Sequence, residues 1–278
     1  FVRCCLSRER CRAGQRLGEP PQRRFGRKSS AWIRKSTAIA NGQRSLRYLT
    51  LRAGLCVPRA MPDANRFTPA SMEFLGGSAL EVAPKLLNAL LVSDIDGTIV
   101  TLRITEVEAY LGVAEDPGSH AFRGKTERNS SMFLRGGHVY VYRSYGMHWC
   151  ANVVAGPEGE AGAVLVRAGE VTEGRETALA RRMATGTVRR PADLASGPGR
   201  ICAALGITGD IDGQEFGRDR ALSLWLPREP LGSARVAVGT STRTGVAGPG
   251  GFLPYRSFLL GEETVSRHRP SPHEKTTK

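Results

Sequence analysis

Long apolar runs are missing from this 278-residue chain: no window of about 18 consecutive apolar residues occurs, which excludes a spanning helix. Cysteine is scarce, at six residues, four of them before residue 57. No Cys-x-x-Cys pair and no Cys/His set at zinc-finger spacing occurs, so a disulfide scaffold or zinc module is not the organising device. Cys150 and Cys202 read as reduced core fillers. Aromatics are few, 18 in all, and acids are nearly absent from the first 60 residues, where only Glu9 and Glu19 face 15 Lys/Arg. What is present, 40% apolar and 24% charged residues, excludes a wholly disordered chain.

The net charge of +14 sits almost entirely in that first stretch. Residues 61–278 hold 25 Lys/Arg against 24 Asp/Glu, so bulk charge does not assign a nucleic-acid partner to the main body. Residues 1–65 read as a disordered basic arm, 66–267 as one domain, and 268–278 as a polar tail. An organellar transit peptide and a DNA-tethering arm are alternatives for the first stretch. Met61, where the charge becomes balanced, is the expected natural start.

Ser78, with Glu81 three residues on, predicts a capped helix running into the strand LLVSDI. Asp96-Gly97 predicts a hairpin turn into TIVTLRITEVEAY. Residues 105–110 and 138–143 alternate as strands, and Ser144-Tyr145-Gly146-Met147 reads as the tip of a second hairpin leading into HWCANVV. GAVLVRA (162–168) reads as a buried strand. Thr172 is expected to cap a helix whose basic side, Arg175 to Arg190, is solvated. Ser196 is expected to cap another helix, begun by Pro198 and ended by Gly206.

Three motifs bear on chemistry. Asp94-Ile-Asp96-Gly97-Thr98 resembles the nucleophile motif of haloacid-dehalogenase-type Mg²⁺-dependent phosphatases, although a hairpin turn explains the same letters. In Glu106-Val107-Glu108-Ala109-Tyr110, two carboxylates and a ring share one strand face. That suits a cleft with a general base beside a stacking platform, or else a solvated face. Seven of the 18 aromatics fall within 110–149, four of them tyrosines. Tyr145 at a hairpin tip suits a wedge entering a stacked duplex, with Arg143 near phosphate. Arg123, Lys125, Arg128 and Arg135 form a local basic patch. His138 and His148 read as strand residues, Trp149 and Met132 as core.

The phrases ALEVAPKLL (79–87), RITEVEAYLG (103–112), the Ser119-His120, Arg123-Gly124 and Thr126-Glu127-Arg128-Asn129 that follow, MFLRGGHVYVYRSYGMHWCANVV (132–154), VLVRAGEV (164–171) and SGPGRICAALGI (196–207) resemble the 3-methyladenine (alkyladenine, methylpurine) DNA glycosylase family. The resemblance spans about residues 66–267. It departs from the family pattern at 239–246 and 254–258. It implies an α+β fold: a single compact domain around a curved antiparallel β-sheet with a DNA-inserting β-hairpin. It implies a monofunctional base-excision-repair enzyme that flips alkylated or deaminated purines out of double-stranded DNA and hydrolyses the N-glycosidic bond. Carried onto this sequence, Glu108 activates the water and Arg167 sits beside it. Tyr110, His120, Tyr142 and Asn152 line the base pocket, and Tyr145 intercalates. From the local basic patch and the hairpin, Arg123, Arg128 and Arg143 are expected to meet the DNA backbone. No metal, no cofactor and no membrane association are expected, nor any partner chain beyond a monomer, and the expected setting is cytoplasmic and nucleoid-associated in a bacterium. A non-catalytic nucleic-acid-binding protein using the same hairpin is the alternative from another class.

Overall fold

Side-chain alternation along four central strands separates a hydrophobic core from a polar face. The computed structural model describes residues 61–229 and 237–269. Most of the expected arm (1–60) and most of the expected tail (270–278) lie outside the described residues.

The elements follow in the order β1 (Phe67–Pro69), α1 (Met72–Leu75), α2 (Ala79–Lys85), β2 (Leu90–Ile95), β3 (Thr98–Tyr110), β4 (Val139–Ser144), β5 (His148–Val154), β6 (Ala163–Glu173), α3 (Arg175–Thr185), α4 (Pro198–Leu205), β7 (Leu222–Pro227), β8 (Val238–Ser241) and β9 (Arg256–Leu259), with short 3-10 turns between them. The strands form one antiparallel sheet in the order β1-β7-β2-β3-β6-β5-β4. β9 pairs with both β3 and β8. This is an open α+β domain. No described helix is long and apolar enough to cross a membrane.

The local signals act as physical chemistry requires. Ser78 caps α2 through a capping box: its Oγ accepts from the Glu81 N–H, and Glu81 Oε2 accepts from the Ser78 N–H at 3.0 Å. Asp96 (φ 57°) and Gly97 (φ 68°) make the two-residue turn between β2 and β3, the left-handed pair that matches strand twist. Asp94 and Asp96 thus belong to a hairpin. No group of three or more His, Cys, Asp or Glu among the described residues is placed to hold a metal ion.

Two helix caps differ from expectation. Thr172 lies inside β6, which stays paired with β3 as far as Glu173↔Thr101. Gly174, in the left-handed region, starts α3 instead. Ser196 bridges Ala168 as an extra strand position, so the cap of α4 moves to Gly197. Sheet pairing outweighs a local capping preference in both places. The expected solvated basic helix also ends earlier, at Thr185. On it, Arg181 donates to the Ala204 and Ile95 carbonyls, and buried Arg182 donates to Leu194 O at 3.1 Å. These two arginines tie α3 to its neighbours.

β3 is 13 residues long and carries the site. Its first half pairs with β2, and its last residues pair with β9 on that same edge while β6 holds the other. Val107 and Ala109 of β3, Val164 and Val166 of β6, Ala151 and Val153 of β5, and Val139 and Val141 of β4 all enter the main core. With a period of two, the intervening residues face the other way.

Candidate active site

The opposite face begins with one row of cross-strand partners. Tyr140 pairs with Asn152, Asn152 with Leu165, Leu165 with Glu108, and Glu108 with Arg256. The next row pairs Tyr142 with Cys150. Irregularities in the β3–β6 register skip Thr105 on β3 and Arg167 on β6. Such bulges re-aim a side chain, and Arg167 reaches both carboxylates of β3.

A cavity of about 580 Å³ opens over this face, within the ~300–1,000 Å³ typical of small-molecule sites. Tyr110, His120, Tyr140, Tyr142, Asn152 and Arg167 line it, with Tyr145 and Arg128 among its other walls. Tyr142 stacks on Tyr140 (centroids 5.5 Å, 28°) and meets His120 edge-on at 4.5 Å. His120 Nδ1 lies 2.9 Å from the Tyr140 hydroxyl. Asn152 Nδ2 donates to Tyr140 O at 2.9 Å. The four residues expected to line a base pocket, Tyr110, His120, Tyr142 and Asn152, therefore line one cavity together with Arg167, and Tyr140 joins the aromatic wall.

Glu108 has no solvent exposure and lies directly behind that lining. Oε2 accepts from the Tyr110 hydroxyl at 2.9 Å and from Arg167 at 3.4 Å. Oε1 accepts from the Thr244 N–H at 2.7 Å. Glu106 is a separate hub. Its carboxylate takes Arg256 Nε (2.6 Å), the Ser266 N–H (2.6 Å) and the Ser266 hydroxyl (2.8 Å), and Arg167 Nε is 2.9 Å away. With its acceptors saturated in the interior, Glu106 serves structure. The choice between cleft and solvated face resolves as a cleft.

Electrostatics follow from burial. Desolvation alone would lower the pKa of Arg167, but Glu108 and Glu106 outweigh it and hold the guanidinium above its ordinary value. Burial, then the neighbouring Glu108, pushes the Tyr110 hydroxyl up, and burial does the same to Tyr142. His120 is lowered, first by burial and then by Arg128, which keeps the ring neutral. Burial raises the Cys150 thiol, so this cavity-lining cysteine is a poor nucleophile.

At the mouth, Tyr145 forms the hairpin tip at φ 49° with 86% of its surface exposed. Arg128 donates to Arg143 O at 3.0 Å and so braces the hairpin. Arg143 is exposed, its guanidinium 5.6 Å from the Trp149 ring centroid. Arg143 and the exposed Arg123 stand outside the cavity lining. His138 bonds Arg135 O and Met132 is core, as expected, while Trp149 only packs against the core edge.

Sequence reasoning missed the C-terminal supports. Arg243 is wholly buried and ion-pairs with Asp116. It donates twice to Ala109 O, and its guanidinium lies 4.2 Å from the Tyr110 ring centroid. Arg256 clamps Glu106, and Thr244 clamps Glu108. His268 and Arg269, counted with the tail from sequence, are tied in by Thr242 (3.1 Å) and the Gly245 N–H (3.1 Å).

The chain is similar in sequence to known proteins. A sequence model of the family described as methylpurine-DNA glycosylase (MPG) matches residues 73–263. A Streptomyces avermitilis protein named "Putative 3-methyladenine DNA glycosylase" is 45% identical over 211 residues, covering 76% of this chain and 95% of its own. Proteins of the same name from Leifsonia xyli subsp. xyli and Methanoculleus marisnigri are 46% and 44% identical. They cover 76% and 70% of this chain, and 97% and 96% of their own lengths.

Proposed function

The chain belongs to the methylpurine-DNA glycosylase family, a hydrolase of N-glycosyl bonds acting on alkylated purines in DNA, and on that premise we propose how its residues carry the reaction. A damaged purine leaves the duplex and enters the cavity above Tyr110, His120 and Tyr142. Extrusion costs a few kcal/mol, least for a weakened pair. Tyr145, held out at the hairpin tip, fills the space left in the stack. Arg123, Arg128 and Arg143 supply positive charge to the backbone around it.

A 3- or 7-alkylated purine is cationic. Aromatic faces attract it, and a neutral His120 does not repel it. The C1′–N bond breaks with its electron pair leaving on the purine, and charge builds on the sugar. The water that forms the new C1′–O bond gives its proton to Glu108. Arg167 keeps the Glu108 carboxylate oriented, and Asn152 shapes the floor.

The observation that carries this reading is Glu108: an unexposed carboxylate fixed by three donors immediately behind an aromatic cavity. Glu108→Gln should abolish release of free base from methylated duplex DNA, assayed in EDTA, while DNA binding survives. Wild-type single-turnover rates in that variant would refute the role.

A further inference from the structure

Two buried side-chain polar atoms among the described residues lack a hydrogen-bond partner: Arg167 Nε and Thr244 Oγ1. Both residues line the cavity and both bond Glu108 through another atom. Arg167 Nε retains its ion-pair contact with Glu106 at 2.9 Å. The Thr244 hydroxyl has no comparable contact, although its residue is only 8% exposed.

An unmet buried hydroxyl costs about 1–3 kcal/mol. Valine would fill the same space and keep the backbone N–H that holds Glu108. The hydroxyl is therefore placed for a use other than packing. Its place limits that use. The Thr244 N–H is 2.7 Å from Glu108 Oε1, so the side chain stands beside the carboxylate and at the cavity wall. An enclosed water needs about two to four polar partners, and Glu108 offers one.

We propose that the Thr244 hydroxyl is a positioning residue for the attacking water. It accepts or donates one hydrogen bond to the water as Glu108 takes its proton, fixing the oxygen toward C1′. This rests on the glycosylase reading and on Glu108 as base. The hydroxyl takes no proton in the net reaction.

Thr244→Val and Thr244→Ser test it, with base release from methylated duplex DNA measured under single turnover with saturating enzyme. The Val variant should lose about 10-fold or more in rate, the effect of one hydrogen bond of about 1.4 kcal/mol on a barrier, with DNA affinity unchanged. The Ser variant should return to within about 3-fold of wild type, since its hydroxyl can make the same bond. The melting temperature separates this from a packing role. Removing an unsatisfied hydroxyl leaves Thr244→Val as stable as wild type or more so, whereas a structural hydroxyl would lower it. A full rate in the Val variant, no rescue by Ser, or a rate loss that tracks lost stability overturns the inference. Wild-type release is the control: its absence removes the glycosylase reading as well, while a fast Val variant beside an active wild type removes only the role of Thr244.

Discussion

Replacing Arg243 with Met should destabilise the domain by about 3–5 kcal/mol, the cost of breaking a buried pair by removing one partner. The guanidinium has no solvent exposure. It donates to Ala109 O at 3.0 and 2.6 Å, to Asp116 Oδ1 and Gly250 O at 2.9 Å each, and to Asp116 Oδ2. Met fills most of the stem, so the cavity contribution is small. What remains is the Asp116 carboxylate, itself unexposed, with only the Leu111 and Gly118 N–H groups at 3.0 and 2.9 Å to hold it. For a domain of about 200 residues, each kcal/mol lowers the melting temperature by about 2–4 °C, so the fall is about 6–20 °C. Adding Asp116→Asn removes the stranded charge and should recover about 1–3 kcal/mol. Urea and thermal unfolding of the two single variants and the double variant complete the cycle. A loss under about 1 kcal/mol in Arg243→Met, or strictly additive effects, would refute the argument. Base release should fall as well, because the Tyr110 ring loses the cation packed on it at 4.2 Å.

Tyr145 pays for its exposed, left-handed position (φ 49°), so Tyr145→Gly should leave stability unchanged or raise it by up to about 1 kcal/mol while base release falls. A 2-aminopurine fluorescence rise beside a lesion that survives the substitution would argue against the wedge. His120 is held below its ordinary pKa of about 6.5 by burial and by Arg128. On acidification the unfolded chain takes up the proton first. This ring's share of stability is therefore complete above about pH 6.5 and is lost as pH falls below it. His120→Gln should shrink the gap between melting temperatures at about pH 5 and pH 7.5; an unchanged gap would count against the buried neutral ring.

The residues readable from sequence are those whose neighbours in the chain are also their neighbours in space. Period-two alternation in 105–110 and 138–143 exposed the two faces of β3 and β4. Asp96-Gly97 and Tyr145-Gly146 marked both hairpins, and the family phrases picked out Tyr110, His120, Tyr142, Asn152 and Arg167, which line one cavity, and Glu108 behind it. The caps at Thr172 and Ser196 misled because strand pairing with Thr101 and Ala168, distant in sequence, overrode a local preference. The supports were illegible for the same reason in stronger form. Asp116 stands in a loop after β3, and Arg243 follows three short polar residues in a stretch that departs from the family pattern. Neither neighbourhood distinguishes them from solvated surface charges. They meet only because β9 closes on the end of β3, where the Ala109 N–H donates to Tyr255 O at 2.8 Å. That closure also places Arg256 on Glu106. The site thus has two layers of different origin. Its cavity wall is written in local alternation, while the charges that hold Tyr110 and Glu106 are paired across more than 100 residues and exist as partners only once the sheet has formed.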